Sequence, residues 1–223
     1  MTSQPLYLLA TASLPEGLAE EASKAGMTLD VVPFIEIEYL DTATPVPEVA
    51  PEVAVFTSVH AVMAVKRWLS GPPPNLRIYC VSGATYKAVV EAFGEKAVVG
   101  KARSAGELAE LIRDREKEIT LFCGDRRREE LPSIGVTEKI VYRTVLTPRK
   151  LERPYAGIAF FSPSAVESFF SVNAMEALVP LFAIGKTTEA AIRSRCSNPV
   201  FACSEPDKTV LIRKMIDYFL FKP

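Results

Sequence analysis

Four corners of this 223-residue chain place hydroxyl side chains where an apolar, β-prone run gives way to a helical pattern. They are Thr57-Ser58 after VAVF, Ser82 to Thr85 after RIYCV, Ser162 to Ser164 after GIAFF, and Gly185 to Thr188 after LFAI. A helix N-terminus presents unsatisfied N–H groups and a partial positive charge, which suits a carboxylate or a phosphate. A serine or threonine there adds a hydroxyl that can cap the helix or turn to a ligand. Capping, worth about 1 kcal/mol, is the better account of any single corner. For four corners in matched pairs, an anion-lined cleft is at least as good an account. A further chemical group is the phenol of Tyr142, in the extended run KIVYRTV. On pattern alone a packed tyrosine with a satisfied hydroxyl explains it better than a cleft residue does.

Other candidates carry less. AIGKTT (183–188) lacks the second glycine and the spacing of a phosphate-binding P-loop. His60 opens a helical pattern and reads as a cap or surface residue. DRRREE (125–130) reads as a solvated helix start with local ion pairs, although an arginine there can attract an acidic ligand. RDREKE (113–118) points to no function.

The elements that must position these corners alternate. Strand-like runs at 6–10, 53–58, 77–82, 96–100, 119–124, 157–162, 181–185 and 199–203 are separated by helical patterns. The helices are expected at 15–25, 60–70, 85–93, 105–116, around 126–131, 164–173, 187–194 and 207–220. Two longer extended runs, 29–40 and 138–147, flank the middle of the chain, and the proline-bearing stretch 41–51 reads as loop. In 29–40, Ile35, Ile37 and Tyr39 alternate with Glu36 and Glu38, the pattern of a strand with one face open to water. Strands alternating with helices imply parallel sheets, so the expected class is α/β.

The corners also repeat. FTSVHAV (56–62) matches FFSPSAV (160–166) at an offset of 104 residues. IYCVSGATYKAVV matches LFAIGKTTEAAI at 103, setting Thr85 against Thr188, and KAVVGKARSAGELAELI matches NPVFACSEPDKTVLIRK at 102. An internal duplication of an α/β half is the economical explanation. Ligands of open α/β sheets bind beyond the carboxyl ends of the strands, where every one of these corners lies. If two such ends face each other, hydroxyls and free N–H groups line the cleft.

The chain is long enough for two domains of about a hundred residues each. A formal net charge of -1 gives no bulk attraction for nucleic acid or an anionic membrane. The four cysteines form no CxxC pair and there is a single histidine, which disfavours His/Cys metal sites and fits reduced thiols. No run is long and apolar enough for a signal peptide or a membrane span. The expectation is a soluble cytoplasmic protein with no metal.

Taken in order, FTSVHAV, VSGAT, FCGDRRREELP, KIVYRTV, FFSPSAV and FAIGKTTEAAI resemble uroporphyrinogen-III synthases. Lys186, His60 and Ser82 depart from the family's usual residues. The resemblance implies two similar α/β domains, each a parallel sheet flanked by helices, joined by a two-stranded extended linker. One domain would combine 1–36 with 147–223 and the other would be 37–146, with linker strands near 34–40 and 142–148. It implies an enzyme that closes hydroxymethylbilane with loss of water and inversion of ring D, through an azafulvene and a spiro intermediate, and without a cofactor. Tyr142 would protonate the departing hydroxyl. Thr57, Ser58, Ser82, Thr85, Ser162, Ser164, Gly185, Thr187 and Thr188 would hold the substrate's carboxylates. A monomer is expected, with transient contact with the bilane-producing enzyme. The competing reading is a two-domain clamp that binds a small anion and catalyses nothing.

Overall fold

The structure, a computed structural model, describes residues 6–40, 52–68, 75–113, 118–126 and 136–221. The chain divides into two compact units, Met1–Glu36 with Val145–Pro223, and Ile37–Thr144.

In the first unit, strands β1 (Leu6–Ala10) and β2 (Met27–Val31) flank helix α1 (Leu18–Lys24). The middle unit follows with β3 (Ile35–Tyr39), β4 (Val53–Phe56), α2 (Val59–Trp68), β5 (Arg77–Val81), α3 (Ala84–Phe93), β6 (Val98–Ala102), α4 (Ala105–Ile112), β7 (Ile119–Gly124) and β8 (Val136–Leu146). The chain then resumes the first unit with β9 (Gly157–Phe160), α5 (Pro163–Phe170), β10 (Leu181–Ala183), α6 (Lys186–Arg193), β11 (Val200–Ala202) and α7 (Lys208–Leu220). The helix expected around 126–131 lies almost wholly outside the described residues, as do the loop 41–51 and the ends of the runs expected at 60–70 and 105–116.

The five-stranded sheet has the order β11-β10-β9-β1-β2, and the six-stranded sheet the order β3-β8-β7-β4-β5-β6. Apart from β3, the strand pairs described in both sheets are parallel. Read from β6, the second sheet runs β6-β5-β4-β7-β8, which places β4, β5 and β6 where the first sheet has β9, β10 and β11. Their starting residues differ by 104, 104 and 102 positions, within one residue of the 104, 103 and 102 of the sequence repeat. The matching also extends to β7 and β8, which hold the places of β1 and β2. The two halves therefore share one strand order but enter it at different points, a circular permutation within one chain.

The run 29–40 is not a single strand. It breaks at Pro33, which has no N–H to donate to a ladder, and its two parts join different sheets. Leu40 N–H donates to Val141 O (3.2 Å) and Thr147 N–H to Phe34 O (3.0 Å). Those partners advance in opposite directions, so β3 lies antiparallel to β8 and forms an edge with alternating exposure. This antiparallel pair, β3 with β8, falls where the two extended linker strands were expected, and it makes the second sheet mixed at that edge.

Period-two alternation divides each core by face. Leu8 and Ala10 pack with Leu18, Leu211 and Met215 beneath α1 and α7, whereas Leu9, Phe160 and Leu181 pack with Val166, Phe169 and Ile192 beneath α5 and α6. In the middle unit Phe56, Ile78 and Phe122 face α2 and α3, and Val55, Tyr79 and Leu121 face α4. Burying both faces of the parallel strands leaves only their ends to meet solvent, which is where the hydroxyl corners stand.

Candidate active site

Both sheets have a topological switch point, where successive crossovers leave in opposite directions and a crevice opens at the strand ends. In the middle unit it lies between β4 and β7, beside Thr57-Ser58 and Gly124-Asp125. In the other unit it lies between β9 and β1, beside Ser162 and Thr11.

Tyr142 reaches the middle unit's switch point because the β7–β8 register slips by one residue. Cys123 pairs with Ile140, but Gly124 pairs with Tyr142, so Val141 is passed over. Such a slip re-aims a side chain that regular alternation would send to the other face. As a result Val141 and Tyr142, adjacent in sequence, pack against the same apolar cluster. The Tyr142 ring lies on the Cα of Gly124, where a Cβ would come within 2.5 Å of Cε2 and Cζ. Only glycine accommodates the ring as placed.

The Tyr142 phenol donates a hydrogen bond to Ser58 Oγ at 3.0 Å, and the backbone N–H of His60 donates to the same oxygen at 3.2 Å. The His60 ring centroid is 5.6 Å from that of Tyr142, and its Nδ1 lies 3.3 Å from the Tyr39 hydroxyl. The Arg67 guanidinium lies 4.0 Å over the Tyr39 ring. Asp125 fastens the bend: its N–H donates to Tyr142 O (3.2 Å) and its Oδ1 accepts from Thr144 N–H (2.9 Å). Burial pushes the Tyr142 phenol above its usual range, so it is protonated at neutral pH.

The remaining corners divide by what their hydroxyls already do. Thr57 and Ser164 are half-buried and Thr187 is exposed, while Thr85 and Thr188 are buried in the first turns of α3 and α6. Ser82 donates both its N–H (2.7 Å) and its hydroxyl (2.9 Å) to Ala102 O, tying β5 to β6. Ser162 caps α5 by accepting from Ala165 N–H at 3.1 Å, ahead of Pro163 at the first helical position. Gly185 caps α6 with an extended backbone, and a Cβ there would only touch Pro206 Cγ at 3.9 Å. Among the named positions the structure brings Ser58 and Tyr142 into contact.

The two edges are chemically unequal. Registered on the matched strands β9 and β4, Ala10 takes the place of Leu121, so the paired part of β1 ends before the place that Gly124 holds in the middle unit. Among the described residues, none at the first unit's switch point carries a phenol. Its Thr11 is fully buried and donates its hydroxyl (2.9 Å) and its N–H (3.0 Å) to Ala159 O. Sequence reasoning gave no role to Thr11, Tyr39 or Gly124. A glycine closing the buried run ITLFC, one strand before an aromatic, is the signal that could have marked a close approach.

Among the described residues, no helix is long and apolar enough to cross a membrane. No group of three or more His, Cys, Asp or Glu side chains among them could hold a metal ion. The four cysteines are not joined in disulfides, and burial pushes the Cys80 thiol up to about 11.

Fold and site together define an α/β protein of two like units, with a phenol-bearing switch point in one and hydroxyl-capped helices in both. The family model for uroporphyrinogen-III synthase HemD matches residues 16–213, and the chain belongs to that family. Its fold is similar to a crystal structure of uroporphyrinogen-III synthetase from Helicobacter pylori 26695, with a TM-score of 0.68 and 15% identity over 95% of this chain and 99% of that one. It is also similar to a mutant uroporphyrinogen III synthase from the extremely thermophilic bacterium Thermus thermophilus, with a TM-score of 0.66 and 18% identity over 98% and 100% of the two chains. No curated protein sequence matches the chain.

Proposed function

We propose that this protein is the enzyme that cyclises hydroxymethylbilane to uroporphyrinogen III, with loss of water and inversion of ring D. The observation that carries the reading is the family match across residues 16–213. It is supported by a protonated phenol held at the middle unit's switch point.

The substrate is a flexible linear tetrapyrrole with many carboxylates, and it also closes unaided to the uninverted isomer. The enzyme's task is to hold one folded conformer and to help water leave. Positioning of this kind supplies several kcal/mol of barrier reduction. Tyr142 is the source of the proton for the departing hydroxyl. Thr57 in the middle unit, and Ser164, Thr187 and the backbone at Gly185 in the other, are the carboxylate-holding groups, and Ser58 is kept for the phenol it pairs with. Ser82, Thr85, Ser162 and Thr188 contribute by fixing the helix starts that present N–H groups. The enzyme is taken to work in the cytoplasm as a monomer that receives its unstable substrate from the bilane-producing enzyme.

The test is to generate hydroxymethylbilane in situ, add the protein, oxidise the products and resolve the porphyrin isomers. Type III product is expected, and Tyr142→Phe should slow its formation about 10²-fold with little change in thermal stability. Type I alone would overturn the reading in favour of a non-catalytic anion binder. Wild-type turnover by the Tyr142→Phe variant would remove Tyr142 from the mechanism.

A further inference from the structure

Ser58 follows β4 at the middle unit's switch point, and the hydrogen-bond inventory of its hydroxyl is complete on one side only. A serine hydroxyl has two acceptor sites and one proton to give. The Tyr142 phenol fills one acceptor site at 3.0 Å and the His60 backbone N–H fills the other at 3.2 Å. Among the described residues, the Ser58 proton has no acceptor. The residue is half-buried and lies just past the carboxyl end of β4, the edge at which ligands of open α/β sheets bind. Meanwhile the Tyr142 proton is directed at Ser58 Oγ, and the ring is confined by Gly124 on one side and His60 on another. A phenol whose proton is already committed cannot give that proton directly to a substrate hydroxyl without breaking its bond.

We propose that Ser58 is the catalytic residue that touches the departing hydroxyl, and that Tyr142 acts through it as the second member of a two-hydroxyl relay. This rests on the cyclisation reading above and assigns the proton path within it. As the substrate's C–O bond breaks, its electron pair leaves on oxygen, and the Ser58 O–H bond breaks to give the second O–H bond of the water formed. The phenol O–H bond of Tyr142 breaks in turn and its proton restores the Ser58 hydroxyl. The adjacent pyrrole nitrogen supplies the electron pair that replaces the lost bond, and the substrate becomes a cation facing a phenolate. Ring closure later expels one proton from a pyrrole carbon, and that proton returns through Ser58 to Tyr142. One water leaves, and the enzyme ends as it began.

The relay makes the two hydroxyls one unit, and units of this kind are non-additive. Single-turnover rates of type III formation should fall about 10²-fold in Ser58→Ala and by a similar factor in Tyr142→Phe. The double variant should be within about twofold of the slower single variant. Ser58→Thr keeps the hydroxyl and should recover most of the rate, which separates the proton path from any folding defect in Ser58→Ala. In mixtures of light and heavy water, the wild-type rate should bend as two moving protons require, and the Tyr142→Phe rate should not. A Ser58→Ala variant that keeps wild-type rate while Tyr142→Phe loses it would overturn the relay but leave the enzyme's function standing. So would single losses that multiply in the double variant. A wild-type chain yielding only type I product would overturn both, and it is recognised before any variant is made.

Discussion

Gly124→Ala tests the placement of Tyr142 without removing any polar group. The added methyl would sit 2.5 Å from Cε2 and Cζ of the ring and 2.8 Å from its oxygen. That is about 1 Å inside ordinary carbon–carbon contact. The backbone at this position is compatible with alanine, so relief must come from the ring. A shift of about 1 Å away from β7 stretches the 3.0 Å bond to Ser58 toward 4 Å, beyond hydrogen-bond range. Misplacement on that scale costs about 10²-fold in rate. The ring's outer end can swing, so the stability cost falls near the low end for overpacking, about 1 kcal/mol, or roughly 2–4 °C in Tm for a chain this size. Gly100→Ala is the matched control. Its methyl would meet the buried Tyr79 ring at 2.6 Å and Leu111 at 2.9 Å, in the same unit but on β6. That variant should lose about 2–3 kcal/mol while keeping its rate at a temperature where it remains folded. The assay is single-turnover isomer analysis beside a thermal melt. If Gly124→Ala turns over like the wild type, or if Gly100→Ala slows as much as Gly124→Ala, the placement argument is wrong.

Ser162→Ala removes the cap of α5 and should cost about 1 kcal/mol in urea denaturation, with less than about tenfold loss of rate because backbone donors remain. A loss near 10⁴-fold, on the scale of a deleted nucleophile, would contradict distributed carboxylate binding. Tyr155 donates to Asp30 Oδ2 at 2.8 Å, and burial, aided by that carboxylate, pushes its phenol up to about 12. Because the folded value is raised, its contribution is complete below the unfolded value near 10 and is lost as pH rises through about 12. Tyr155→Phe should therefore lower stability by about 1–2 kcal/mol at neutral pH and flatten the decline between pH 10 and 12. An unchanged alkaline decline would assign it to other groups.

The fold class was legible because parallel strands buried on both faces read as short continuous apolar runs, and β4, β5, β9 and β10 are of that kind. The repeat was legible because β4 to β6 and β9 to β11 keep one spacing. Its continuation into β1 and β2 was not, because the permutation moves those strands to the other end of the sequence and no constant offset relates them to β7 and β8. The break at Pro33 was masked by strand-like residues on both sides of it. At the site, the hydroxyl corners announced themselves through composition at strand ends. The Tyr142–Ser58 bond spans 84 residues and depends on a one-residue slip of register. A slip leaves no trace in hydrophobic periodicity, since Val141 and Tyr142 suit either face. His60 looked like a simple helix opener because its ring contacts come from Tyr39 and Tyr142, on two other strands.

The permuted strand order has a consequence for the nascent chain. β1 and β2 leave the ribosome early, yet the neighbour that completes their sheet is β9, and Leu8 pairs with Gly157. At ordinary synthesis speeds roughly ten seconds separate them. During that interval the middle unit, Ile37–Thr144, has every strand it needs. The β1–β2 pair, by contrast, must keep Leu8, Leu9 and Ala10 from water or from one another's company in other chains, and a lone pair of strands is marginal in water. The unit that carries the phenol is thus finished first, and the strands translated before it wait for the last third of the protein to close over them.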